Sequence, residues 1–485
     1  MRAGVGVILG ACAVCAVASA PASAEAPARL DDARLTRARA VQVAVAGNVG
    51  LMASKIVRAQ AARGARRARR PYVPFVSAAV GYRDSASLFE PGVTVRQLDY
   101  SAGVSWATAA GTTLSVDAGS TEFFSGTSFV PTPATSVQLA ISQSILRGWM
   151  AGQNQLDEQD LEVKRAREVF VGELNDFIAG VDRAYWELAY AQADLEIKVR
   201  SRDRARVQYD ETKENIARGL LAPGEIFIVE ENLVFFEQNL VAAQESLELA
   251  RVRLARLLRV APETPLEAID SLDDADGLAA RALGMSNEEV ARANPRAKAA
   301  QAGLAQAEAR LAFEENQALP SLDARASLGF NGLDPRREVA WGQAVTGANP
   351  DARLGVSFST PILRDAEDAR AELARAERER ARLELRQARD EARYGAQELG
   401  VQIQARRERL ALATRRVGLA LSKLDNEQEK YKSGISTLPN VVLFQRDLDS
   451  ARIAERRAQA DLAALASRMF ALRGELPARA GLEVR

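Results

Sequence analysis

Four stretches of the chain alternate apolar and polar residues with a period of two, the pattern of a strand with one greasy face. In the first, Val76, Ala78, Val80 and Tyr82 lie opposite Phe75, Ser77, Ala79 and Gly81. In the second, Val137, Leu139 and Ile141 oppose Gln138, Ala140 and Ser142. In the third, Leu322, Ala324, Ala326, Leu328 and Phe330 oppose Asp323, Arg325, Ser327 and Gly329. In the fourth, Leu354, Val356 and Phe358 oppose Gly355, Ser357 and Ser359. These predict strands at about 72–83, 136–146, 321–331 and 353–361. A soluble sandwich with one buried face alternates in the same way, so periodicity alone does not choose between the two.

Between the strands the period changes. No proline occurs between Pro133 and Pro223, nor between Pro361 and Pro439, and Arg, Glu, Ala, Leu and Gln dominate both windows. These are strong helix formers. They predict long helices at 150–217 and 364–432, followed by shorter ones at 224–260 and 438–473. At 1.5 Å per residue each long helix runs about 100 Å, far beyond the usual three turns, so it must pack as an extended coiled coil. The second window carries a heptad stripe of Ala396, Ile403, Leu410, Val417, Leu424 and Tyr431, with Leu399, Ala413 and Ala420 beside it and Arg406 interrupting. The first has Phe170, Leu174, Phe177, Val181, Leu188, Ala191 and Leu195 at comparable intervals. Such spacing buries a narrow seam between helices.

The two halves of the chain match each other. Asn48 to Pro74 recurs as Asn294 to Pro320 at the same interval, Ile145-Leu146-Arg147 as Ile362-Leu363-Arg364, and Arg218-Gly219-Leu220 as Ser433-Gly434-Ile435. Each half therefore reads helix, strand, strand, long helix, turn, helix. The first repeat spans 25–260, with its opening helix at 30–70, and the second spans 287–473, with its opening helix at 287–318. A joint at 261–286 separates them and a tail follows at 474–485. The first repeat carries extra sequence from about Arg96 to Pro133, and Thr108-Ala109-Ala110-Gly111 between two alternating runs suggests an added hairpin at a membrane-external loop.

Composition narrows the chemistry. The 64 basic and 64 acidic residues cancel, so no net field draws in nucleic acid, and histidine is absent. That removes the usual neutral-pH general base and the commonest metal ligand. No phosphate-binding glycine loop, metal cluster or nucleophile–base pair is present, so no catalytic residue, cofactor or metal is assigned. Arg2, an apolar run from Val5 to Val17 and Ala22-Ser23-Ala24 make a secretory signal at 1–24, with cleavage after Ala24. Both cysteines, Cys12 and Cys15, fall inside it. Leu9-Gly10-Ala11-Cys12 also resembles a lipoprotein box, which leaves lipidation of Cys12 as the alternative.

The order, spacing and duplication of these pieces resemble the TolC outer-membrane efflux family over nearly all of the mature chain. The matching pieces are Asn294-Pro295 leading to Leu319-Pro320, the Ile-Leu-Arg strand ends, and Tyr431-x-x-Gly434 followed by Val441-Val442-Leu443-x-Gln445. The resemblance implies a mainly α protein with a transmembrane β-barrel in a Gram-negative outer membrane, continued by a coiled-coil α-barrel tunnel in the periplasm. It also implies a homotrimer working with a periplasmic adaptor and an inner-membrane pump. Independently, membrane strands must close into a barrel, and barrels start at about eight strands. Four strands from each of three chains would give about 12 around a water-filled pore.

Function would then rest on shape and lining charge. Gly219 and Gly434 are helix C-cap glycines. With Leu220 and Ile435 they form tips that the resemblance assigns to the entrance and to adaptor docking. Where the family commonly has an aspartate six residues after this glycine, the chain has Glu225 and Asn440. An acid there caps a helix or contributes to a charged ring at the pore entrance. Alternation places Asp323 and Arg325 in the barrel lumen if Leu322 and Ala324 face lipid. Arg63, Arg66, Arg67, Arg69 and Arg70 are candidates for contact with outer-membrane lipid phosphate, against a solvated basic face. Tyr82, Trp106 and Phe330 are candidate interfacial aromatics. Two other functions compete: a structural coiled-coil tether of the envelope, and a periplasmic enzyme built on carboxylates.

Overall fold

The computed structural model describes residues 33–86, 94–125, 134–363 and 365–482. The signal segment with Cys12 and Ala24, and Arg364 at the second strand end, lie outside the described residues. The chain opens with strand β1 (Arg34–Leu35), then helices α1 (Arg37–Gly47) and α2 (Val49–Ala68). The single opening helix expected at 30–70 is corrected to these two, which meet at a bend of 62°. Asn48 makes the break. Its extended backbone ends α1, while its side chain accepts from the Leu51 amide at 2.8 Å and starts α2.

Strands β2 (Phe75–Ala86), β3 (Thr94–Ala107), β4 (Thr112–Ser125) and β5 (Ala134–Ser144) precede the long helix α3 (Ala151–Ala217), which turns back into α4 (Glu225–Leu258). The joint holds β6 (Glu267–Ala268), paired with β1 in parallel, and α5 (Ala275–Ala282). The second half runs through α6 (Asn287–Ala293), α7 (Pro295–Gln317), β7 (Ser321–Gly332), α8 (Arg337–Val345) and β8 (Pro350–Ser359). Helix α9 (Asp365–Lys432), α10 (Leu438–Leu472) and the short α11 (Leu476–Arg479) complete it. The helix expected at 287–318 is divided at Asn294, whose side chain accepts from the Arg296 and Ala297 amides and caps α7, as Asn48 caps α2.

Helices α3 and α9 contain 67 and 68 residues, about 100 Å each. Each packs along its return helix, α3 on α4 and α9 on α10, while α7 lies between α3 and α9 and α10 also touches α3. Their seams are those of the heptad stripes. Phe170, Leu174, Val181 and Leu188 are buried on α3, and Ala396, Ile403 and Leu410 on α9. The largest apolar core sits partway along α3, where α1, α4, α5, α10 and the β1–β6 pair close around Tyr185 and Trp186. The Tyr185 hydroxyl lies 2.9 Å from the Leu35 carbonyl and 3.0 Å from the Asp270 carboxylate, which ties the joint to the helix. Burial raises the Tyr185 hydroxyl well above the usual phenol range.

All strands except the β1–β6 pair form one antiparallel sheet in the order β2-β3-β4-β5-β7-β8. Among the described residues this sheet holds six strands and not the four expected per chain, so the estimate of twelve, which multiplied four by three, loses its premise. The added hairpin is not a peripheral loop. Strands β3 and β4 stand between β2 and β5 in continuous register, with Val76 opposite Val104, Val104 opposite Val116 and Val116 opposite Leu139. The Thr108–Gly111 turn lies at the helical end of the sheet: the Ala109 carbonyl accepts from the Gln153 amide at 3.2 Å, at the start of α3.

Candidate functional site

Register divides the sheet into two unlike faces. Cross-strand partners share a face, so Val76, Val104, Val116, Leu139, Leu328 and Ala352 form one row across all six strands. The rows beside it hold Val80, Ala102, Ala118, Val137, Ile141, Leu354 and Val356. This face is apolar and open: Val76 is 78% exposed, Val80 79% and Leu354 88%. Trp106 and Phe358 lie on it near the helical end, and Tyr82, Tyr100 and Phe330 near the far end. The opposite face carries Ser77, Ser101, Asp99, Asp117, Gln138, Ser327, Asp323, Arg325 and Arg353. The Asp323 carboxylate accepts from the Ser144 hydroxyl at 2.8 Å. Strands of 10 to 14 residues reach or exceed the roughly 9–11 that a membrane-crossing strand requires. Among the described residues no single helix is long and apolar enough to cross a membrane.

The β7–β8 connection folds back onto the apolar face near its far end. There α8 covers a polar cluster that the bare sheet would expose. Arg337 donates to the Glu122 carboxylate, which also accepts from the Tyr100 hydroxyl at 2.9 Å. Trp341 stacks on Tyr100 with ring centres 6.3 Å apart, and its indole N–H donates to the Tyr100 hydroxyl at 3.3 Å. Ala340 and Ala344 are the buried residues of α8, and a Cβ built on Gly332 would overlap the Ala340 carbonyl.

At the opposite end of the molecule, both long helices stop in the same way. Gly219 (φ 74°) and Gly434 (φ 72°) are left-handed. The Leu220 amide donates to the Asn215 carbonyl at 2.9 Å and the Gly219 amide to Ile216 at 2.9 Å. Ile435 donates to Lys430 at 2.9 Å and Gly434 to Tyr431 at 3.0 Å in the same pattern. This is the Schellman arrangement, which satisfies the last carbonyls with backbone alone. It leaves Leu220 69% and Ile435 78% exposed.

Glu225 is the first residue of α4, where the helix dipole stabilises its charge. It also lies near the other tip: the Tyr431 hydroxyl is shifted up by burial first, then by the charges of Glu225 and Glu211. Asn440 is exposed in the first turn of α10, and its side chain donates to the Ser436 hydroxyl at 3.4 Å. The two candidate entrance positions thus share one end of the helices, while Asp323 and Arg325 lie far away on the sheet. The arginine cluster lies where α2 leads into β2. Arg69 is committed to Asp160 on α3 at 2.7 Å, so the cluster is not uniformly free for lipid.

Sequence reading missed the polar clamp just behind the tips. Asp449 on α10 is buried, and it accepts from Ser201 at 2.6 Å and Arg204 at 2.7 Å on α3. Arg446 donates to Asn232 on α4 at 3.0 Å and covers the Phe235 ring at 4.2 Å. These positions look like ordinary surface charges in sequence. A seam-facing Asp449, one residue after buried Leu448, is the signal available. Higher up α3, burial raises the carboxyl of Asp182 despite its pairing with Arg37 at 2.9 Å, and burial likewise raises Asp194.

A paired-strand sheet opening directly into two duplicated helical hairpins is the fold of the TolC-type outer-membrane channels. The similarity to solved structures extends over most of the chain. The outer-membrane channel OprN aligns with a TM-score of 0.59 at 17% identity, covering 90% of this chain and 89% of that one. VceC from Vibrio cholerae gives 0.59 at 15%, covering 90% and 96%, and the open-state MtrE channel of Neisseria gonorrhoeae gives 0.58 at 14%, covering 90% and 88%. In sequence the chain is 25% identical over 327 residues to Protein CyaE of Bordetella pertussis (strain Tohama I), a match spanning 67% of this chain and 66% of that protein. No family model matches the chain.

Proposed function

We propose that the protein is an outer-membrane exit duct: a passive, non-enzymatic conduit of a tripartite efflux or type I secretion system. The observation that carries this reading is the two-faced sheet. Its exposed apolar face suits lipid, its polar face suits a water-filled lumen containing Asp323 and Arg325, and its strands connect to helices long enough to reach across a periplasm. A six-stranded sheet has unpaired edges that lipid does not tolerate, so several chains must close it. A homotrimer fits both this requirement and the fold.

In this reading the helical tips are the periplasmic entrance. Gly219, Leu220, Gly434 and Ile435 form the adaptor-docking surface, and an inner-membrane pump supplies the cargo through that adaptor. Glu225 and Asn440 border the entrance. Similarity to outer-membrane channels, and the secretory signal read from residues 1–24, support an outer-membrane location with a periplasmic extension.

The deciding experiment extracts the full chain from membranes, counts its subunits, and measures ion conductance in planar lipid bilayers. A trimer that conducts supports the duct. A monomer without conductance supports the structural tether instead.

A further inference from the structure

The hairpin β3–β4 is fixed at both ends as part of the sheet. At the helical end, the Trp106 indole donates to the Tyr72 carbonyl at 3.1 Å, and the Met150 and Gln153 amides donate to Ala110 at 3.4 Å and Ala109 at 3.2 Å. A Cβ on Gly152 would overlap the Tyr72 hydroxyl and crowd the Ala109 backbone, so the turn is wedged between the exit of α2 and the entry of α3. At the far end, α8 clamps Tyr100 of β3 and Glu122 of β4 through Trp341 and Arg337. Between these anchors, 12 residue pairs join β2 to β3, 13 join β3 to β4 and 10 join β4 to β5. The apolar and polar faces continue across the hairpin without a change of side. A hairpin lying outside the wall would instead leave β2 to pair directly with β5, and would strand the apolar row Trp106, Val104, Leu114 and Val116.

From this we infer that each subunit contributes six staves to the membrane wall, and that the trimer closes as an eighteen-stranded barrel through β2 of one subunit and β8 of the next. This rests on the trimeric duct proposed above. Barrel diameter grows roughly linearly with strand number, so the outer mouth is about 1.5-fold wider than a twelve-stranded wall allows. Solutes entering from the outside reach deep into the barrel before they meet the narrower helical section.

The test uses the full chain, extracted as its membrane assembly. Ala79→Cys with Ser101→Cys places a thiol pair across β2 and β3, and Ser115→Cys with Ala140→Cys places one across β4 and β5, both on the polar face. Both pairs should form disulfides under mild oxidation, and electron cryo-microscopy of the unmodified assembly should count eighteen strands. Polyethylene glycols of graded size, added to the outer side of a bilayer, should lower conductance up to a radius about 1.5-fold larger than a twelve-stranded barrel admits. A trimer with twelve staves and residues 94–125 outside the wall overturns this inference while leaving the duct intact. A non-conducting monomer overturns the duct and this inference with it.

Discussion

The Ser201 hydroxyl of α3 donates to the Asp449 carboxylate of α10 at 2.6 Å, in a place closed to solvent. Arg204 completes the cluster from the more exposed side at 2.7 Å. Asp449→Ala leaves the Arg204 guanidinium without its carboxylate and the Ser201 hydroxyl with only the Ile197 carbonyl, 2.8 Å away, as acceptor. The expected loss is about 2 kcal/mol of stability, read as a lower midpoint in thermal unfolding followed by helical circular dichroism. Asp449→Asn, which keeps an acceptor oxygen, should lose less. Equal losses for the two variants would show that the negative charge facing Arg204, and not the acceptor geometry, carries the contribution.

Gly332 admits no side chain because the Ala340 backbone lies against it. Gly332→Ala should lift α8 from the sheet at a cost of about 1–3 kcal/mol. Trp341 would leave its stack on Tyr100, so its emission should change, and Trp341→Phe in the same background should abolish that change. An unaltered spectrum in Gly332→Ala would show that α8 is held by its polar contacts alone.

In the proposed duct, the charge at Glu225 and Asn440 can be altered in both directions. Glu225→Gln should lower cation preference and Asn440→Asp should raise it several-fold, as read from reversal potentials across a potassium chloride gradient. If both variants keep the original reversal potential, neither side chain borders the conducting path.

Leu220→Asp and Ile435→Asp keep the backbone caps but remove the apolar tip surface. Both should fold and conduct normally, yet fail to crosslink to a periplasmic adaptor in cells. Undiminished crosslinking would move the docking surface elsewhere.

The carboxyl of Asp194 is raised above its ordinary value by burial, with Lys198 opposing. A carboxyl whose folded value exceeds the unfolded one binds its proton first in the folded state. Its contribution therefore becomes more favourable as pH falls through the raised value towards about 3.9, and less favourable as pH returns to neutral. Asp194→Asn removes this dependence, so melting midpoints of the native chain and the variant should converge as pH falls from neutral towards about 4. A gap that stays constant down to about pH 4 would show that Asp194 is not held above its ordinary value.

The long helices were readable because their information is local. Proline-free windows, the 3–4 spacing of Phe170 to Leu195, and the C-cap glycines at 219 and 434 each act within a few turns. The duplicated Asn48 and Asn294 were visible as a repeat, but their role as caps that interrupt a helix was not. Nothing in composition distinguishes a break at Asn48 from a continuous helix through it. The strands β3 and β4 were read only as a hairpin, because Ser120 and Glu122 interrupt the apolar side of the alternation. Their place between β2 and β5 depends on pairing across the sheet, which local sequence does not encode. The Asp449 cluster and the α8 clamp join residues hundreds of positions apart, so their meaning appears only after folding.

Both tips are closed by main-chain hydrogen bonds, and the side chains that join them at the second tip are those of Ser433 and Ser436, not Ile435. Residues such as Leu220 and Ile435 can therefore be exchanged without unravelling the hairpin behind them. If the tips are the proposed entrance, lineages that inherit this architecture could acquire new machinery there while keeping the same helices, much as a fitting is changed on an unaltered pipe.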